Sequence, residues 1–284
     1  MSFAETTLLG AIAGFTIYIG LPVGRIQRVD NRVRVALAMF SVGVLAFIFM
    51  DVGAQSLGIV ENALTSFKDH KGSLGHVVGL FALMSVGFII GTAGISVVQH
   101  RLKPQGRSRP PVAGGEAMSV ADVTAYNLEA GAARTAALRT GMTIAVAIGL
   151  HNFAEGLAIG VSAQTGELAL ATVLVIGFGL HNATEGFGIV GPLGPVRPTW
   201  AWLGVAGLVG GGPTFVGAMV GYQVHSDALE LCFYALAGGA ILYVIGEIWT
   251  AVRRYGHHTL GLNLLALGFL AGVATDLVVA YGGG

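Results

Sequence analysis

The sequence predicts an all-α, polytopic membrane protein with eight transmembrane helices, and three observations carry that prediction. The 284 residues are 54% hydrophobic and only 11% charged, with a mean hydropathy of +0.75, whereas a soluble domain carries about 25% charged residues. Eight apolar stretches, near 6–24, 33–57, 76–99, 140–163, 168–191, 200–223, 228–250 and 260–281, each meet the roughly 20 residues that a helix needs to cross a bilayer. The basic residues are sided: of 15 Lys and Arg, only Lys68 and Lys71 fall outside the loops that follow spans one, three, five and seven.

By the positive-inside rule those four loops are cytoplasmic and both termini lie outside the cytoplasm. The expected location is a cell inner membrane or plasma membrane. The first apolar run is as long as the others and leads straight into Arg25, Arg28, Arg32 and Arg34, so it reads as span one and not as a cleaved signal. The chain then divides into residues 1–99 with spans one to three, a cytoplasmic linker over 100–138, and residues 139–284 with spans four to eight. Net charge is zero, which gives no pointer to nucleic acid. The single cysteine, Cys232, excludes internal disulfides and thiolate clusters.

Span one has no charge between Thr6 and Gly24, and Pro22 near its end marks it as scaffold. Span two carries Asp51 beside Gln55 toward its outer end. That carboxylate either reaches the interface or a neighbouring helix, or forms part of an acidic vestibule. A short outer loop is expected over 58–75, with Glu61, Asp69 and His70. Span three is uncharged. The linker contains Pro104, Pro110 and Pro111 before a more helical run, Ala117 to Ala133, and His100 is its lone histidine. Span six contains Gly210-Gly211-Gly212-Pro213-Thr214. Proline frees the carbonyl four residues back, so a kink is expected there. Span seven ends with Glu247 ahead of Arg253 and Arg254, and span eight holds Asp276 near its outer end.

Spans four and five hold the chemistry. His151-Asn152-Phe153-Ala154-Glu155-Gly156 and His181-Asn182-Ala183-Thr184-Glu185-Gly186 are the same phrase at a constant offset. On a helix, His and Glu four apart lie about 40° apart, with Asn about 100° from His, so the three polar groups share one face. An ionisable residue at the centre of a span costs roughly 2.5 to 3.5 kcal/mol on insertion scales, and here the cost is repeated with the same residues in the same order. The short connection around Gln164 to Glu167 makes the two spans antiparallel neighbours. Their motifs are then related by an approximate two-fold axis in the membrane plane and face each other, as in inverted-repeat transporters. Two imidazoles, two carboxylates and two amide oxygens suit borderline divalent ions such as zinc, iron(II), manganese or cadmium, and the lack of thiolate donors argues against copper(I). One such motif alone reads more readily as a locally satisfied polar core. Two on adjacent spans do not.

The phrases HNFAEGLAIG and HNATEGFGIV resemble the signature helices of the ZIP (Zrt-, Irt-like protein) family of divalent-metal transporters. Span count, outside termini and the linker after span three are also similar, so the likeness covers essentially the whole chain. The resemblance implies one metal position built from His151, Glu155, His181 and Glu185, and a second from Asn152, Glu155, Asn182 and Glu185, with Glu247 at the exit. Asp51 and Asp276 are expected along the pathway. The chain departs from the family where Ala154 and Thr184 replace a proline, and where Thr214 stands at the place of a glutamate that binds the second metal. One tight metal is therefore expected, since two dications bring four positive charges against two carboxylates. The function implied is uptake of divalent metal, zinc foremost, into the cytoplasm without enzymatic activity. The expected partners are the transported ions, the lipid bilayer and, as an open option, a second copy in a homodimer. Two other readings stand: an intramembrane metal-dependent hydrolase, weakened by the absence of an HExxH arrangement, and a metal sensor without flux.

Overall fold

The computed structural model describes residues 1–26, 30–102, 120–164, 168–223 and 226–281. Eight helical rods run through these residues. Span one is α1 (Phe3–Phe15) and α2 (Ile17–Gly20), closed by a 3₁₀ turn at Leu21–Arg25; span two is α3 (Asn31–Lys68). Span three is α4 (Leu74–Ile89) continued through a π turn into α5 (Ile95–Leu102). Spans four to eight are α6 (Val120–Gln164), α7 (Leu168–Val190), α8 (Trp200–Gln223), α9 (Asp227–Arg253) and α10 (His258–Tyr281). Among the described residues seven helices are long and apolar enough to cross a membrane. The remaining rod, α7, has 23 residues, above the length a span requires.

Two ends of the bundle are distinguishable by what gathers there. At one end Arg25 donates to the Pro198 carbonyl and stacks over Trp200, Arg34 bonds the Gly194 carbonyl, and Arg134 donates to the Arg197 carbonyl. This is the end of the basic loops. At the other end Met1, Ala163 and Tyr222 are joined by hydrogen bonds, and Phe3 packs edge-on to Tyr222.

Three local expectations change. The outer loop expected over 58–75 is largely helix, because α3 continues for 38 residues to Lys68. Leu57, Ile59, Val60, Ala63, Leu64 and Phe67 keep a helix-compatible pattern, and no proline interrupts them. The stop comes from His70 at positive φ and the Ser73 cap on His76, which starts α4. Span one is not continuous: it breaks at Thr16, whose hydroxyl donates to the Ala13 carbonyl at 2.6 Å. α6 is 45 residues long, so from Val120 onward the segment expected as linker is one helix with span four. The rest of that linker, 103–119, lies outside the described residues, as do Arg28 and the connection at 165–167.

Glycine pairs at four helix crossings share one geometry, and Gly160 with Gly221 repeats it one turn along from Gly156 and Gly217. At each, two glycines face each other, and a methyl on either would strike the carbonyl three residues before the other. Gly43 meets Gly268 between α3 and α10; Gly91 meets Gly239 between the π turn and α9; Gly156 meets Gly217 between α6 and α8; Gly186 meets Gly20 between α7 and α2. Close backbone approach of this kind is how helices associate where lipid offers no hydrophobic drive, and it brings Cα–H groups onto carbonyl oxygens. Gly14 and Gly211 form a fifth crossing that is its own mirror, each set against the other's carbonyl. The crossings come in matched pairs, so span one corresponds to span six, two to seven, three to eight and four to five. The bundle is an inverted repeat, with spans one and six meeting on its axis.

Candidate metal site

The repeated motifs meet at the centre of the bundle. The His, Asn and Glu side chains of both motifs are buried, none more than 8% exposed. His151 Nε2 lies 2.7 Å from Glu155 Oε1, one helical turn along α6, and His181 Nε2 from α7 contacts the same oxygen. The ligand atoms of His151, Glu155 and His181 all lie within 4.8 Å of one another. Glu185 stands beside this group, with Oε1 3.9 Å from His151 Nε2. The two imidazoles, their ring centres 6.1 Å apart, therefore converge on one carboxylate with a second behind.

The asparagines do a different job. Asn152 Nδ2 donates to the Gly210 carbonyl at 2.9 Å and to Glu185 Oε2 at 3.2 Å. Asn182 Nδ2 donates to the Ala13 carbonyl at 3.1 Å. Gly210 and Ala13 are counterparts in the repeat: Ala13 lies three residues before Thr16, where span one is interrupted, and Gly210 three residues before Pro213, which α8 carries without interruption. Each motif thus grips the backbone just ahead of that position in the neighbouring rod. Thr184 donates to the carbonyl three residues back, His181, at 2.7 Å.

What remains is an excess of acceptors. Asn152 Oδ1, Asn182 Oδ1, Glu155 Oε2, Glu185 Oε1 and Thr214 Oγ1 are buried and have no hydrogen-bond partner, and His151 Nε2 is out of hydrogen-bond alignment despite its close carboxylate. Buried polar atoms are nearly always paired, and leaving several lone pairs unmet in one place is costly. A hard or borderline cation is the partner such a set fits. Thr214 is fully buried on α8, where a methyl placed on Gly14 would touch it.

No family model matches the chain, and no characterised protein matches it. The chemistry of the site therefore stands on its geometry.

A cavity of about 560 Å³ runs from the site toward the end opposite the basic loops. His151, Glu155 and His181 form its floor, and Asp51, Asp276 and Glu230 line its walls. Asp51 accepts a hydrogen bond from Gln55. Asp51 and Asp276 thus share one space with the motif histidines. Glu247 does not line this cavity; it is half-buried on the basic-loop side of α9, bonded to Tyr243 one turn earlier. On that side the motif side chains are covered by apolar packing, in which Ile148, Ile189, Ile241, Val244 and Ile248 are fully buried. Sequence reasoning missed Glu230 and Tyr234 as lining residues. Glu230 sits in the first turn of α9, where an acidic residue is ordinary helix-end chemistry, so nothing set it apart.

Proposed function

We propose that the chain carries divalent transition-metal ions across a membrane, zinc foremost, in the manner of the ZIP transporters that its motifs resemble. The observation that carries this reading is the cluster of buried, unpartnered acceptors around His151, Glu155, His181 and Glu185 at the floor of an acidic cavity. Ligation by neutral imidazole and ionised carboxylate fits zinc and its neighbours. A dication cancels the formal charge of Glu155 and Glu185, so the loaded site is neutral and tolerable at mid-membrane depth.

In this proposal the basic loops face the cytoplasm and both termini lie outside. Cations collect in the cavity walled by Asp51, Asp276 and Glu230, bind at the four-residue site, and leave past Glu247 once the apolar packing on that side opens. Alternating access follows, because the cavity reaches the site from one side only. The site serves as a carrier's binding site, not a hydrolase's or a sensor's.

The test is uptake of radiolabelled zinc by sealed proteoliposomes. Wild-type protein is expected to give saturable uptake, and Glu155→Ala and Glu185→Ala none. Equal uptake by wild type and the double variant removes the assignment. A hydrolase or a sensor gives no flux in the wild type.

A further inference from the structure

The matched glycine crossings fix which residue of one half corresponds to which residue of the other. The crossings at Gly43 and Gly239 have the same geometry, with the Phe40 and Leu236 carbonyls in equivalent places. One constant offset therefore carries α3 onto α9. It takes Ile48 to Val244, Asp51 to Glu247, Arg34 to Glu230 and Ala38 to Tyr234. The acidic cavity draws Ile48 and Asp51 from α3 and Glu230 and Tyr234 from α9. Their counterparts are Val244 and Glu247 on α9 and Arg34 and Ala38 on α3. All four lie on the basic-loop side of the site. Ala38 and Val244 are now fully buried in the apolar core, and Arg34 is bonded to the Gly194 carbonyl.

We propose that these counterparts line a second cavity, open to the basic-loop side in the protein's other state, and that Arg34 is its release residue, standing where Glu230 stands in the first. This rests on the carrier reading above. The two cavities are alike in shape and different in field. The first presents the carboxylates of Asp51, Asp276 and Glu230. In the second, the one carboxylate from the α3 and α9 pair, Glu247, is offset by the Arg34 guanidinium. A dication is held on one side and let go on the other. Charge lining a cleft changes the local concentration of an ionic species by roughly 10- to 1,000-fold at low ionic strength, so the difference between the cavities falls in that range.

The test reads cavity position and sign without metal transport. In a Cys232→Ala background, single cysteines are placed at Ile48, Val244 and, as a buried residue outside the mapped set, Leu45, which is 0% exposed. Oriented sealed vesicles are treated from each side with membrane-impermeant cationic and anionic methanethiosulfonates. Ile48→Cys is expected to react from the side opposite the basic loops, faster with the cationic reagent. Val244→Cys is expected to react from the basic-loop side with a cationic-to-anionic rate ratio at least tenfold lower. Leu45→Cys should react from neither. Adding Arg34→Glu to Val244→Cys should raise its ratio toward that of Ile48→Cys. Ala38→Cys gives the same readout should Val244→Cys fail to insert. Reaction of Val244→Cys and Ala38→Cys from neither side, or from the same side as Ile48→Cys, overturns the proposal, as does a ratio unmoved by Arg34→Glu. Those failures beside intact zinc flux strike this inference alone, and the expected labelling without flux strikes the carrier reading alone.

Discussion

Glu155 is the carboxylate on which both imidazoles converge, which makes Glu155→Gln the sharpest single perturbation of the site. The substitution keeps side-chain volume and helix packing and removes one negative charge. It leaves His151 and His181 facing an amide, which in one orientation presents a donor to a site already short of nothing but cations. Removing one partner of a buried charge pair costs about 3 to 5 kcal/mol, and each 1.4 kcal/mol is tenfold in affinity. Zinc affinity should therefore fall by roughly two to three and a half orders of magnitude. Equilibrium dialysis or calorimetry on detergent-purified protein measures it directly, and far-UV circular dichroism checks that the helices persist. Glu185→Gln should cost less, because Glu185 stands 3.9 Å from His151 Nε2 and outside the tightest group. A Glu155→Gln protein binding zinc within threefold of wild type would refute the assignment of this carboxylate as the shared ligand.

Other outcomes follow from the same geometry. His181→Ala should keep some flux and change metal preference, read by competition among zinc, cadmium, manganese and iron(II) in the uptake assay, since one imidazole and both carboxylates remain. Metal counting on purified protein should return one tightly held ion per chain, and Thr214→Glu should raise the count to two by adding a carboxylate at this buried position. Gly43→Ala and Gly268→Ala should each destabilise the bundle by about 1 to 3 kcal/mol through overpacking, whereas Gly53→Ala, with open space around it, should be neutral or stabilising by a few tenths to about 1 kcal/mol. Thermal unfolding in one detergent ranks the three.

Much of this was legible in the sequence because the membrane imposes few solutions. Apolar run lengths and the placement of arginines reported the spans, and the repeated motif reported the centre of the bundle before any coordinates. Asp51 and Asp276 stood out in the sequence because a carboxylate inside a span is rare, and both line the acidic cavity. The asparagines were readable as part of the site but not as clamps on spans one and six, since hydrogen bonds to Gly210 and Ala13 join residues far apart in sequence. The break at Thr16 carries no proline or glycine of its own and was silent. The glycine crossings were hidden by abundance: with 45 glycines in the chain, a small-residue spacing says nothing until its partner is known. α3 ran past its expected end because the sequence beyond the bilayer stays helix-forming, and length rules for spans report hydrocarbon thickness, not where a helix stops.

The side-chain amide of Asn182 is a single conjugated plane, with its nitrogen on the Ala13 carbonyl and its oxygen turned loose in the interior. Drawing electrons toward the oxygen makes the N–H bonds more acidic and their grip firmer, as in any polarised chain of donors and acceptors. Whatever positive charge settles on that oxygen therefore also tightens the hold on the first rod just ahead of its interruption at Thr16, and Asn152, whose nitrogen is on the Gly210 carbonyl, does the same in the sixth. A cation shared by the two amide oxygens would be felt at both rods at once.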